Sequence, residues 1–186
     1  MQIIELIKDS AEGKKQSQDE LFECVYEDLR NLARKIRFDW RNEHTLNTTA
    51  LVHEAYLKVC NSNDLSLANK LHFYRVCGRA MRYVLSDYIK YKSTAKRGGQ
   101  SEKLPLNEQF VIELSDASET MMTELLDKIE KLKTHDPLIA DVIDCRFFSN
   151  MSVVETSEVL SVSPATVKRK WAFARSFISA DFSKSA

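Results

Sequence analysis

Apolar residues in this chain recur at steps of three and four, the spacing of an amphipathic helix face, and seldom alternate with polar ones as a half-buried strand requires. Over residues 18–37 the stripe is Leu21, Val25, Leu29, Leu32 and Ile36. Residues 50–60 repeat it with Leu51, Val52, Ala55, Tyr56 and Val59. A longer helix is predicted from about Leu71 to Lys92, with Val76, Ala80, Val84, Tyr88 and Tyr91 on one side and the cations Arg75, Arg79, Arg82 and Lys90 elsewhere. The period then breaks at 93–101, where Gly98-Gly99 sits, and Pro105 follows. This predicts a linker reaching about Ser118.

Beyond it Met122, Leu125, Leu126, Ile129 and Leu132 restore helical spacing. Asp136-Pro137 restarts a helix through Ile139, Val142, Ile143 and Phe147. The expected fold is all-α, two helical domains joined by a flexible linker: 1–95, then 96–118, then 119–186.

The clearest local signal runs from Ser152 to Ile178. Ser152-Val153-Val154-Glu155 fits a capping box and starts a helix that reaches about Leu160. Ser161-Val162-Ser163 is a short turn, and Ser163-Pro164 is an N-cap followed by proline at the first helical position. The second helix carries Val167, Trp171, Ala174, Phe177 and Ile178 for packing, and Thr166, Lys168, Arg169, Lys170 and Arg175 for contact. Two short helices joined by a three-residue turn, the second one basic, make a helix-turn-helix able to enter a major groove.

Composition alters this picture through the distribution of charge. The 27 basic and 27 acidic groups cancel. Residues 1–70 hold 10 basic and 12 acidic (−2), 71–104 hold 8 and 2 (+6), 105–160 hold 4 and 12 (−8), and 161–186 hold 5 and 1 (+4). Screening over about 8 Å keeps distant acids from neutralising the basic blocks, so two separate contacts to a polyanion are expected. The chemistry of an enzyme is not suggested. His44, His53, His72 and His135 are dispersed, His53-Glu54 lacks the second histidine of a zinc protease motif, and Gly98-Gly99 is no phosphate loop. Cys24, Cys60, Cys77 and Cys145 are scattered, which predicts reduced, mostly buried thiols and no metal site. No cofactor is implied. No signal peptide and no membrane-spanning run is read, so a cytoplasmic protein with no membrane contact is expected.

Three segments in order resemble the extracytoplasmic-function (ECF) sigma factors. Val153-Glu155-Thr156-Val159-Leu160-Ser163-Pro164-Ala165-Thr166-Val167-Lys168-Arg169 is similar to their region 4, and Thr49-Ala50-Leu51-Val52-His53-Glu54-Ala55-Tyr56-Leu57 to region 2.2. His72-Phe73 through Ala80-Met81-Arg82, then Asp87-Tyr88 and Ala95-Lys96-Arg97-Gly98-Gly99, is similar to regions 2.3 and 2.4. The resemblance implies a non-enzymatic subunit that binds RNA polymerase core and directs promoter recognition. It implies −35 contacts from Ser163, Thr166, Lys168, Arg169, Ala172, Phe173 and Arg175. It implies −10 contacts from Asn69, Lys70, His72, Arg75, Arg79, Arg82 and Lys90, with a flipped base held in the loop Asn61 to Leu71 and Phe73 and Tyr74 near enough to stack. Polymerase would meet Leu51, Val52, Glu54 and Tyr56.

The family usually carries an acidic run just before the Leu-Val-x-Glu of region 2.2; here Asn47-Thr48-Thr49-Ala50 stands there. Phosphorylation of Thr48 or Thr49 by a Ser/Thr kinase would restore negative charge at a helix start. An anti-sigma factor is a further partner in view. Two rival readings are a dimeric helix-turn-helix regulator, which leaves the first half without a role, and an interaction adaptor that has lost DNA binding.

Overall fold

The computed structural model describes residues 2–11, 14–38, 48–60, 69–96 and 116–182. Every regular element among them is helical: α1 (Gln2–Ala11), α2 (Lys15–Phe38), α3 (Thr48–Cys60), α4 (Lys70–Lys96), α5 (Asp116–His135), α6 (Pro137–Ile143), α7 (Val153–Leu160) and α8 (Pro164–Phe182). A π-helical turn, Asp144–Phe148, continues α6. The fold is all-α, as the spacing of apolar positions predicts. Most of the expected linker and residues 61–68 of the base-capture loop lie outside the described residues.

The stripe on α2 is buried through Leu21, Val25, Leu29, Ala33 and Ile36. It meets Leu51, Val52, Ala55, Tyr56 and Val59 of α3, and Phe73, Cys77, Met81, Val84 and Leu85 of α4. Each leucine, isoleucine, valine, phenylalanine or methionine among these contributes about 1.5–3 kcal/mol when withdrawn from water, which is why α2, with most of its residues polar, still docks on one face. The Tyr56 hydroxyl donates to the Gln18 carbonyl at 2.5 Å, so its polar tip is satisfied where its ring is buried.

In the second half, Asp136 caps α6 by accepting from the Leu138 amide at 3.1 Å, and Pro137 follows at the first helical position. The π-helical turn ends where Ser149 N–H donates to the Asp144 carbonyl at 2.9 Å. Within this turn Asp144, Cys145 and Phe148 are all buried. Asn150 then takes a left-handed conformation, φ 51°, and reverses the chain toward α7.

The two halves share one buried apolar cluster, with α4 packed against the π-helical turn. Gly78 permits that approach. A Cβ there would lie 2.2 Å from Ser149 Oγ and 3.0 Å from the Phe148 carbonyl atoms. Ser149 Oγ also lies 3.1 Å from the Tyr74 carbonyl, tying the turn to the α4 backbone.

This packing changes the expected faces of α4. Arg82, expected among surface cations, is 2% exposed, while Tyr91, expected on the apolar side, is 39% exposed. The reason is that α4 has two covered faces, one against α2 and α3 and one against the second half. A single amphipathic stripe does not describe a helix buried on two sides.

Candidate nucleic-acid interface

The helix-turn-helix is held by local bonds. Ser152 Oγ accepts from the Glu155 amide at 3.1 Å, and the Glu155 carboxylate accepts from the Ser152 amide at 2.7 Å. These bonds from Ser152 hold the Glu155 carboxyl below its usual range. Thr156, fully buried, donates its hydroxyl to the Ser152 carbonyl at 2.8 Å. Ser161 ends α7 in a left-handed conformation, φ 53° and ψ 41°, and the Val162 amide returns to the Ser157 carbonyl at 3.0 Å. Ser163 Oγ accepts from the Thr166 amide at 3.1 Å and opens α8.

Val167 and Ala174 anchor α8 by full burial, which turns its other side outward. Lys168, Arg169, Ala172, Phe173 and Arg175 are exposed there. Among the described residues none of these three cations has an ion pair. Phe173 stacks on Phe177 with centroids 6.4 Å apart. Lys170 does not belong to this set: it pairs with Asp136, whose carboxyl that contact holds below its usual range. Trp171 likewise faces inward, with the Arg146 guanidinium 5.8 Å from its ring.

The cations of α4 are placed otherwise. Arg82 grips Asp144 with two bonds, Nε to Oδ1 at 2.6 Å and Nη2 to Oδ2 at 3.1 Å, and gives Nη1 to Glu130 at 3.0 Å. Burial works against the Arg82 charge, but the Asp144 bonds override it and raise its pKa. Burial also raises the Asp144 carboxyl, with Arg82 opposing that rise. Arg75 donates to Asp141 at 2.8 Å. Arg79 donates to the Tyr83 hydroxyl at 3.3 Å, and Lys70 stands 4.0 Å from Asp28 and over the Tyr74 ring. Lys90 is exposed. Asn69 caps α4, its side-chain oxygen accepting from the His72 amide at 2.9 Å. Phe73 is 1% exposed and cannot stack on a base in this conformation, and Tyr74 donates to Asp28.

The outward basic helix α8 closes a helix-turn-helix, and the cation-rich α4 precedes it in the chain. The model for the ECF sigma factor matches residues 1–184. The chain belongs to the ECF sigma factor family. Among curated proteins none matches it. As a member of this family it is a DNA-binding, RNA polymerase-binding factor of transcription initiation. Among the described residues no helix is long and apolar enough to cross a membrane, and no cluster of His, Cys, Asp and Glu could hold a metal ion.

In this ECF sigma factor, the region-2.2-like helix is α3. Of the residues expected at the polymerase contact, Leu51, Val52 and Tyr56 are buried in the core, where they set α3 in place, and Glu54 is half-buried at the surface. Thr48 and Thr49 occupy the first turn of α3, which has no acidic residue. The Thr49 hydroxyl is exposed and 3.5 Å from that of Tyr26. The sequence reading missed Asp141, Asp144 and Glu130 as partners of α4 and Gly78 as the point of closest approach. The acidic excess over 105–160 was the available signal.

Proposed function

We propose that residues 119–186 of this sigma factor read the −35 element as duplex, and that residues 1–95 dock on polymerase core and open the −10 element. The observation that carries the first half is the capped, outward-facing α8 with Lys168, Arg169 and Arg175 exposed along it. Arginine donors suit guanine edges in the major groove, lysine suits phosphate, and the start of α8 at Ser163 and Thr166 favours an anion. Ala172 and Phe173, one turn on, offer apolar contact to thymine methyls. For the −10 element the reading assigns Asn69, Lys70, His72, Arg75, Arg79, Arg82 and Lys90 along α4.

The absence of acid in the first turn of α3 supports a regulated docking step. A phosphate on Thr48 or Thr49 would add roughly −1.5 to −2 charges at a helix start, where the dipole favours them. Thr48→Ala and Thr49→Ala variants, each with and without Ser/Thr kinase treatment, test this through affinity for core. The expected result is kinase-enhanced binding that one of the two substitutions abolishes; equal affinity across the set ends the idea.

Run-off transcription tests the reading as a whole. Polymerase core with this chain should start RNA at a defined site, and core alone should not. Binding to DNA without core and no initiation with it would favour a conventional helix-turn-helix regulator.

A further inference from the structure

One ridge of α2 is ordered by chemistry as well as by spacing. Asp28, Asn31, Leu32 and Lys35 recur at steps of three and four, so an acid, an amide, an apolar side chain and a base share one face. That ridge lines a cleft of about 470 Å³. The other walls are the start of α4, through Lys70, Leu71 and Tyr74, and the reversal into α7, through Ser149, Asn150 and Met151. Glu155 completes the polar lining.

We infer that this cleft binds a short zwitterionic peptide, a dipeptide with apolar side chains, laid along α2 with its ammonium at Asp28 and its carboxylate at Lys35. The site is separate from the proposed promoter contacts, of which it includes Lys70 alone.

Each part of such a ligand meets a group with capacity to spare. The Tyr74 hydroxyl donates to Oδ2 of Asp28, and Lys70 stands 4.0 Å from the same oxygen, which leaves Oδ1 to accept from an ammonium. Lys35 is exposed, and among the described residues it has neither a hydrogen bond nor an ion pair. It is therefore open to a carboxylate. Asn31 accepts from Arg34 at 3.2 Å through its oxygen, so its amide N–H groups remain for a peptide carbonyl. The Asn150 side chain, on another wall, has no bond among the described residues. Leu32, Leu71 and Met151 offer apolar surface to the ligand's side chains.

The charges on the lining favour a ligand with two opposite ends. Asp28 and Glu155 balance Lys35 and Lys70, so a simple anion or a simple cation would meet repulsion as well as attraction. The Glu155 carboxylate is also engaged by the Ser152 amide at 2.7 Å. Spacing then sets the length. Seven residues of helix separate Asp28 from Lys35, a rise of about 10.5 Å. An extended dipeptide spans about 7 Å, and a charge-assisted bond of about 2.8 Å at each end covers the rest. A single amino acid falls short.

The test titrates leucyl-leucine into the isotope-labelled full-length chain and follows the side-chain amide signals of Asn31 and Asn150, which should shift and saturate. N-acetyl-leucyl-leucine, leucyl-leucine amide and free leucine remove in turn the ammonium, the carboxylate and the span, and each should bind about ten-fold more weakly. In Lys35→Ala, with the backbone spectrum as the check on folding, the free dipeptide and its amide should bind alike while the acetylated form stays weaker. Three results would each overturn the site: no shift at Asn31 and Asn150, equal affinity of the wild type for free and blocked peptides, or discrimination at the carboxylate end that survives in Lys35→Ala.

Discussion

Arg82 and Arg169 are the same residue type on two long helices, yet one is 2% exposed and tied by three hydrogen bonds, and the other lies open on α8. The difference comes from what each helix packs against. The α8 helix is anchored on one side by Val167 and Ala174, so the remaining face is free. The α4 helix is covered on two sides, and its second covering brings Asp141, Asp144 and Glu130 with it. A cation on the first kind of helix is a contact waiting for a ligand; on the second kind it already has one.

This contrast can be broken by substitution, and the largest effect is expected at the buried pair. Asp144→Ala leaves Arg82 buried with only its Glu130 bond and should lower stability by about 3 kcal/mol, read from urea unfolding. A loss below about 0.5 kcal/mol would mean that Arg82 escapes to water at no cost. Lys168→Ala and Arg169→Ala should leave stability within about 0.5 kcal/mol. On promoter duplex the arginine variant should lose about 1–3 kcal/mol of binding and relax sequence preference, and the lysine variant should flatten the salt dependence by about one unit of slope.

Ser152→Ala should be milder. It removes one half of the capping box and should cost about 1 kcal/mol, measured by thermal unfolding.

The smallest effect is a pH dependence at the same cap. The Glu155 pKa is lowered in the folded state, so its contribution is complete above the ordinary carboxylate pKa and is lost as pH falls through the folded value. Amide exchange at Ser152 and Glu155, after correction for intrinsic rates, should therefore accelerate on acidification below that ordinary range and stay level above it. In Ser152→Ala the step should shrink.

How much of this was legible in the sequence follows from the range of each interaction. The cap at Ser152, the turn at Ser161 and the start at Pro164 depend on neighbours within four residues, and all could be read from the chain. The core positions of α2 and α5 were equally plain because each helix has one buried stripe. Arg82 was misjudged because its partners lie 48 and 62 residues away, beyond any local pattern. The burial of Leu51, Val52 and Tyr56 was legible in their helical spacing, which marks them as core positions. Asn69, expected at the base contact, also caps α4, a role its position just before Lys70 permits.

Arginine modification by phenylglyoxal, followed by mass spectrometry of the free chain, tests the contrast between the two helices most directly. Arg169 and Arg175 should react rapidly, with Arg82 protected and Arg75 slow. Arg82 reacting as fast as Arg169 in the folded protein would contradict it.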